Sequence, residues 1–220
     1  MPVAGSQHGK GKLIESSGNF GRPSGDSSRV DTDRIQAAVR ELLAAIGENP
    51  LRVDLLDTPS RVAQSYTEYF AGIGVDPLDH LRDAVAVSAT SEKLGELVLL
   101  RDVEFRSMCE HHPLPFVGVA HLAYLPGVRL VGLGRLARVV DTLAARPQLQ
   151  ERLTEEIANV LESGLAPRGV FVMLDATHLC LSSRGTRQAR STTVTTAARG
   201  TLREASARTE VIAMIGAHRG

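Results

Sequence analysis

LVLLRDVEFRSMCEHHPLPFVGVAHLAYL, residues 97–125, decides the fold class. Leu97 to Phe105 is an apolar run that alternates at its end and reads as a strand. Phe116 to Leu125 alternates again, and Pro126-Gly127 closes it with a turn. Between them lies a polar segment, Ser107 to Pro113, that fits neither pattern. Val128 to Gly132 reads as a short third strand.

Outward from this stretch the periodicity changes. Upstream, Asp31 or Thr32 caps a helix in which Ile35, Val39, Leu42, Leu43 and Ile46 recur at helical spacing until Gly47. Asp57-Thr58-Pro59 starts a second helix that stops near Gly72. Downstream, Leu136 to Leu161 is helical, and Pro147 splits it into two helices. Gly169 to Leu174 is a buried strand continuing towards Cys180, Ser191 to Thr196 is another strand, and a last helix covers Ala207 to Ile215. Strands, helices and strands with few parallel crossovers predict an α+β fold on an antiparallel sheet. Residues 1–30 are rich in Gly and Ser and read as a disordered arm. A helical region over 31–95 and a sheet-bearing domain over 96–220 follow.

A chain of 220 residues with 43% hydrophobic content buries one sizeable core. Its 25 cationic and 25 acidic side chains cancel, which argues against a protein working mainly through a basic surface. Neither nucleic acid nor membrane is therefore an expected partner. No apolar run reaches spanning length and the N-terminus lacks a signal-peptide core, so a cytoplasmic location is expected. Two cysteines, Cys109 and Cys180, cannot make a disulfide-dense scaffold.

Those cysteines stand beside histidines. Cys109 and His112, three apart, fall on one side of a helical turn or tight loop, with His111 pointing elsewhere and free for proton transfer. His178 and Cys180, two apart, share a face if the strand continues. Cys109, His112 and Cys180 make three ligands with an open fourth position, the pattern of a catalytic zinc. The spacing also admits ordinary buried cysteines, a closed structural zinc that adds His178, and a redox pair. Arg135 and Arg138 follow a glycine turn at a helix start, which suits a phosphate. Arg184 and Arg187 come just after Cys180. Gln150 and Glu151 lie at another helix start, where a carboxylate can accept two N–H bonds from a guanine edge.

Ser107-Met108-Cys109-Glu110-His111-His112, Arg146-Pro147-Gln148-Leu149-Gln150-Glu151-Arg152 and Ala176-Thr177-His178-Leu179-Cys180, with the Arg184-Gly185 turn, resemble the GTP cyclohydrolase I family. The likeness runs from about residue 33 to 216. It implies the tunnelling fold, an antiparallel four-stranded sheet with two helices on one face, making residues 96–220 the catalytic domain. It implies a homodecamer of two stacked pentameric rings with sites at subunit interfaces. The implied reaction opens the guanine imidazole ring of GTP, releases C8 as formate and gives 7,8-dihydroneopterin triphosphate, the entry step to folate and pterin synthesis. Zn2+ on Cys109, His112 and Cys180 would lower the pKa of a water to about 7. His111 matches the proton donor to the ring, His178 a second proton-transfer group, and Glu151 the guanine-edge carboxylate with Gln150 beside it. Arg138 and Arg184 match triphosphate contacts. Gly132-Leu133-Gly134-Arg135 stands where the family usually has Gly-Leu-Ser-Lys. Arg135 keeps the charge but not the point geometry of lysine. That change makes a different purine nucleotide the alternative substrate expectation.

Overall fold

The computed structural model describes residues 30–86 and 96–217. The expected arm over 1–30 lies almost wholly outside the described residues. The first elements are helix α1 (Thr32–Ala45), helix α2 (Thr58–Tyr69) and strand β1 (Val85–Ala86). Then come β2 (Val98–Cys109), β3 (Pro115–Leu125), β4 (Arg129–Leu130) and α3 (Leu133–Ala144). The chain continues through β5 (Pro147–Gln148), α4 (Gln150–Leu165) and β6 (Gly169–His178). It ends with α5 (Leu179–Ser182), β7 (Thr193–Gly200) and α6 (Ala205–Gly216).

The helix starts follow their caps. The Asp31 side chain accepts from the Arg34 amide at 3.0 Å and opens α1. Pro59 sits in the first turn of α2, where its missing N–H costs nothing. One sheet has the order β5-β2-β3-β6-β7. Its four long strands are antiparallel, and β5 adds two residues parallel to the end of β2. Even-numbered positions of β3 and β6, such as Leu122, Tyr124, Val172 and Leu174, face α3 and α4. Leu136, Val139 and Leu143 of α3 and Leu153, Ile157 and Leu161 of α4 meet them, fully buried. Each such side chain contributes about 1.5–3 kcal/mol. Odd positions Ala123 and Phe171 face Val211 and Ile215 of α6 on the other side. At Gly118 the backbone of β6 passes so close that a Cβ would lie 2.1 Å from the Asp175 carbonyl oxygen. Among the described residues no helix is long and apolar enough to cross a membrane.

Three expectations change in detail. Val128 to Gly132 does not join the main sheet. Only Arg129–Leu130 is extended, and it pairs with β1 in a separate two-stranded ladder, because the chain must turn away to begin α3 at Leu133. Pro147 does separate two helices, but the break is itself an extended pair lying against Met108 and Cys109. The strand ends at His178, and Cys180 lies on the helical turn α5. Strand alternation therefore does not place Cys180.

Candidate active site

β2 brings Cys109 to the lip of the sheet as its last residue, buried under the α3/α4 layer. The turn to β3 then carries Glu110, His111 and His112 into solvent. The Cys109 amide donates to the Leu114 carbonyl at 3.0 Å and closes that turn. Pairing of Phe116 with His178 puts the end of β6 alongside, and α5 swings Cys180 back over Cys109. One donor atom each from Cys109, His112 and Cys180 lies within 4.8 Å of the others. A tetrahedral zinc with bonds of about 2.0–2.3 Å holds its ligands roughly 3.3–3.8 Å apart. Two sulfurs and an imidazole at this separation therefore fit zinc after a small closure. Both cysteines are free thiols. Burial, and then the neighbouring Cys109 sulfur, push the Cys180 thiol up, while Arg184 is close enough to oppose the rise.

His178 does not join this group. Its Nε2 lies 2.7 Å from Oε1 of Gln150, and its ring stacks on Phe116 with centroids 4.7 Å apart. The tautomer follows from the surroundings of Gln150. The Gln150 amide nitrogen faces the carbonyl oxygens of Thr193 at 2.8 Å and Leu174 at 3.3 Å, and both can only accept. Thr195 Oγ1 accepts a third contact at 3.1 Å. The Gln150 oxygen therefore faces the histidine, Nε2 carries the proton, and the neutral ring presents an unprotonated Nδ1. Thr154 donates to the Gln150 carbonyl at 2.7 Å, so in its 2.6 Å contact with Thr195 it accepts. Burial pulls the His178 pKa down, and the nearby Glu151 carboxylate works against it.

These contacts sort the sequence-predicted residues. Cys109, His112 and Cys180 converge. His111 stands exposed beside them, its ring centroid 6.2 Å from that of His112. Glu151 is exposed in the first turn of α4 and close to His178. Gln150 is buried with its side chain fully engaged, so it orients His178 and offers no free amide to a base. Arg135 and Arg138 are not brought together with the cluster within one chain. Arg135 lies in the first turn of α3 and Arg138 near its middle, and the far end of the helix leads into the Pro147–Gln148 pair beside Cys109. The helical rise alone puts roughly 14 Å between Arg135 and the end of α3 at Ala144, and about 9 Å between Arg138 and that end. Arg135 is occupied by Asp83 at 2.6 Å.

Phe116, Thr154 and Thr195 were given no site role by sequence, and Gln148 and Arg152 entered only as members of the motif at 146–152. Arg152 had one usable signal: it and Glu156 stand four apart on α4, so they share a helix face.

A family model described as GTP cyclohydrolase I matches residues 35–216. GTP cyclohydrolase 1 of Leifsonia xyli subsp. xyli is 56% identical over 186 residues, covering 84% of this chain and 96% of its own. The protein of the same name from Clostridioides difficile is 50% identical over 190 residues, 86% of this chain and 98% of its own. GTP cyclohydrolase 1 of Bacillus mycoides is 48% identical over 190 residues with the same coverage. Matched over residues 35–216 and similar across nearly the full length of these relatives, the chain belongs to the GTP cyclohydrolase I family.

Proposed function

We propose that the protein hydrolyses GTP at C8 of the guanine ring, releasing formate and giving 7,8-dihydroneopterin triphosphate. The observation that carries this is a metal-competent group of three, Cys109, His112 and Cys180, from which His178 is withheld by Gln150. Three protein ligands leave a position for water. When bound there, zinc supplies a water activated near neutral pH. Glu151 accepts the two N–H groups of the guanine edge and so presents the imidazole ring to the turn. His111, exposed on that turn, gives a proton to N7 as the ring opens. His178 exchanges a proton through Nδ1, the nitrogen its bond to Gln150 leaves free. Arg184, beside Cys180, takes a phosphate.

Arg135, paired with Asp83 in the first turn of α3, and Arg138, exposed near its middle, have no contact with the Cys109 group within one chain among the described residues. We infer that a second copy supplies them, so the working unit is a homo-oligomer with sites between subunits, and a decamer of two pentameric rings fits the family. The sheet-bearing domain from residue 96 holds every one of these groups, and the helical region over 31–95 lends Asp83 to Arg135. The cytoplasm, where thiols stay reduced, is the compartment this reading needs.

The test is metal content and GTP-dependent formate release measured on one purified sample, with oxidation of the product to a fluorescent pterin. Equal amounts of formate and pterin are expected. Zinc-loaded protein that releases no formate from GTP would sink the proposal.

A further inference from the structure

The turn that carries His111 and His112 is held from outside the metal group. Glu110, between Cys109 and the histidines, donates its amide to the Gln148 carbonyl at 3.1 Å. Its carboxylate pairs with the Arg152 guanidinium. The same guanidinium donates through Nε to Gln148 Oε1 at 3.0 Å and through a terminal nitrogen to the Pro147 carbonyl at 3.2 Å. Gln148 is buried, and its amide donates to the Leu143 carbonyl at 3.1 Å and to Glu156 at 2.8 Å. One planar fork thus joins α4 to the turn and to β5, and the Gln148 amide carries the link on to the end of α3.

Stability alone does not account for this arrangement. The Arg152–Glu110 pair is part-exposed, and such pairs contribute about 0–1 kcal/mol. Its geometric effect is larger. Arg152 is the neighbour of Glu151, and Glu110 is the neighbour of His111. The pair therefore ties the residue that would hold the base to the residues that would act on it. A misplacement of about 1 Å between such groups can cost about 100-fold in rate.

We propose that Arg152 is a positioning residue: through Glu110 it fixes the 109–113 turn against the start of α4 and sets His111 and His112 relative to Glu151. This rests on the functional reading above. A lysine would reach Glu110 but could not also bond Gln148 and Pro147 in one plane.

The experiment compares the full-length parent with Glu110→Gln, Arg152→Lys, Arg152→Ala and the double variant Glu110→Gln/Arg152→Ala. Two quantities are read: hydrogen exchange of the Cys109 and Glu110 amides, and kcat against KM for GTP. Glu110→Gln leaves Arg152 bonded to Gln148 and Pro147, so it decides the matter even where Arg152→Ala fails to fold. Loss of the pair is expected to speed exchange in the turn and leave β3 and β6 unchanged. It should lower kcat on the order of 10–100-fold, as loss of an outer partner of a metal site does, with KM little altered. Arg152→Lys should recover part of the loss, and the double variant should be no slower than Arg152→Ala. Unchanged turn exchange in Glu110→Gln, or single losses that multiply in the double variant, would overturn the proposal. The exchange measurement needs neither metal nor GTP. A parent that released no formate would therefore break the functional reading while the clamp was still judged on its own.

Discussion

The two ends of α3 are built differently. Beyond its C-terminal end, beside Cys109, a set of polar side chains is partnered within the chain: Gln148 with Leu143 and Glu156, Arg152 with Glu110, Gln150 with His178. In its N-terminal half Arg135 has one surface partner, Asp83, and Arg138, near the middle of the helix, is exposed. An exposed pair of that kind is worth about 0–1 kcal/mol, so a phosphate can replace it. The end assigned to ring chemistry is organised within one chain, whereas the end assigned to phosphate is left open to another molecule. Proton transfer and metal ligation demand fixed geometry, while phosphate binding tolerates mobile cations.

That difference breaks first, and most severely, at the metal group. Cys180→Ser should bring formate release to background and zinc content down with it, both read on one sample. Arg138→Ala on α3 should keep its zinc and raise KM for GTP. Equal loss of zinc in both variants would erase the contrast.

His111→Ala comes next. It removes no metal ligand, so zinc should stay at the parent level while kcat falls about 10²–10⁴-fold, the usual range for a general acid. A fall in zinc content of the same size would move His111 into the ligand set and reopen the assignment of His112.

Gln150→Leu should cost up to about 100-fold in kcat, because His178 loses the acceptor that fixes its orientation and its proton on Nε2. It should also lower the melting temperature. The Thr193 and Leu174 carbonyls lose a buried donor, and each group left unpaired costs about 1–3 kcal/mol. A variant with reduced stability and parent kcat would show that Gln150 serves packing alone.

Legibility in the sequence follows the same division. The α+β class, the helix starts at Asp31 and Thr58 and the four long strands were readable, because caps and alternation repeat over many residues. The trio Cys109, His112 and Cys180 was readable from side-chain chemistry, although the strand reasoning offered for Cys180 fails where α5 begins. The pairing of β4 with β1 was not readable, since a two-residue ladder has no period. Neither was the inward turn of Gln150. A glutamine at a helix start looks solvated unless the carbonyls of β6 and β7 are known to meet it, and those contacts span 24 and 43 residues.

The smallest effect belongs to Gly134, where the resemblance leads one to expect serine. The position is in the first turn of α3, and a Cβ there would meet nothing within 4 Å. Alanine and serine therefore both fit. Glycine is the weaker helix former by about 0.5–1 kcal/mol, so both changes should stabilise by at most that much, visible as a small rise in melting temperature. Only serine adds a hydroxyl at the phosphate end. If that hydroxyl reaches a phosphate, Gly134→Ser lowers KM for GTP while Gly134→Ala does not, by less than the tenfold that 1.4 kcal/mol represents. If the two variants share one KM, the open end grips its ligand through Arg135 and Arg138 and needs no fixed hydroxyl. That outcome would widen the contrast with the clamped turn at Glu110.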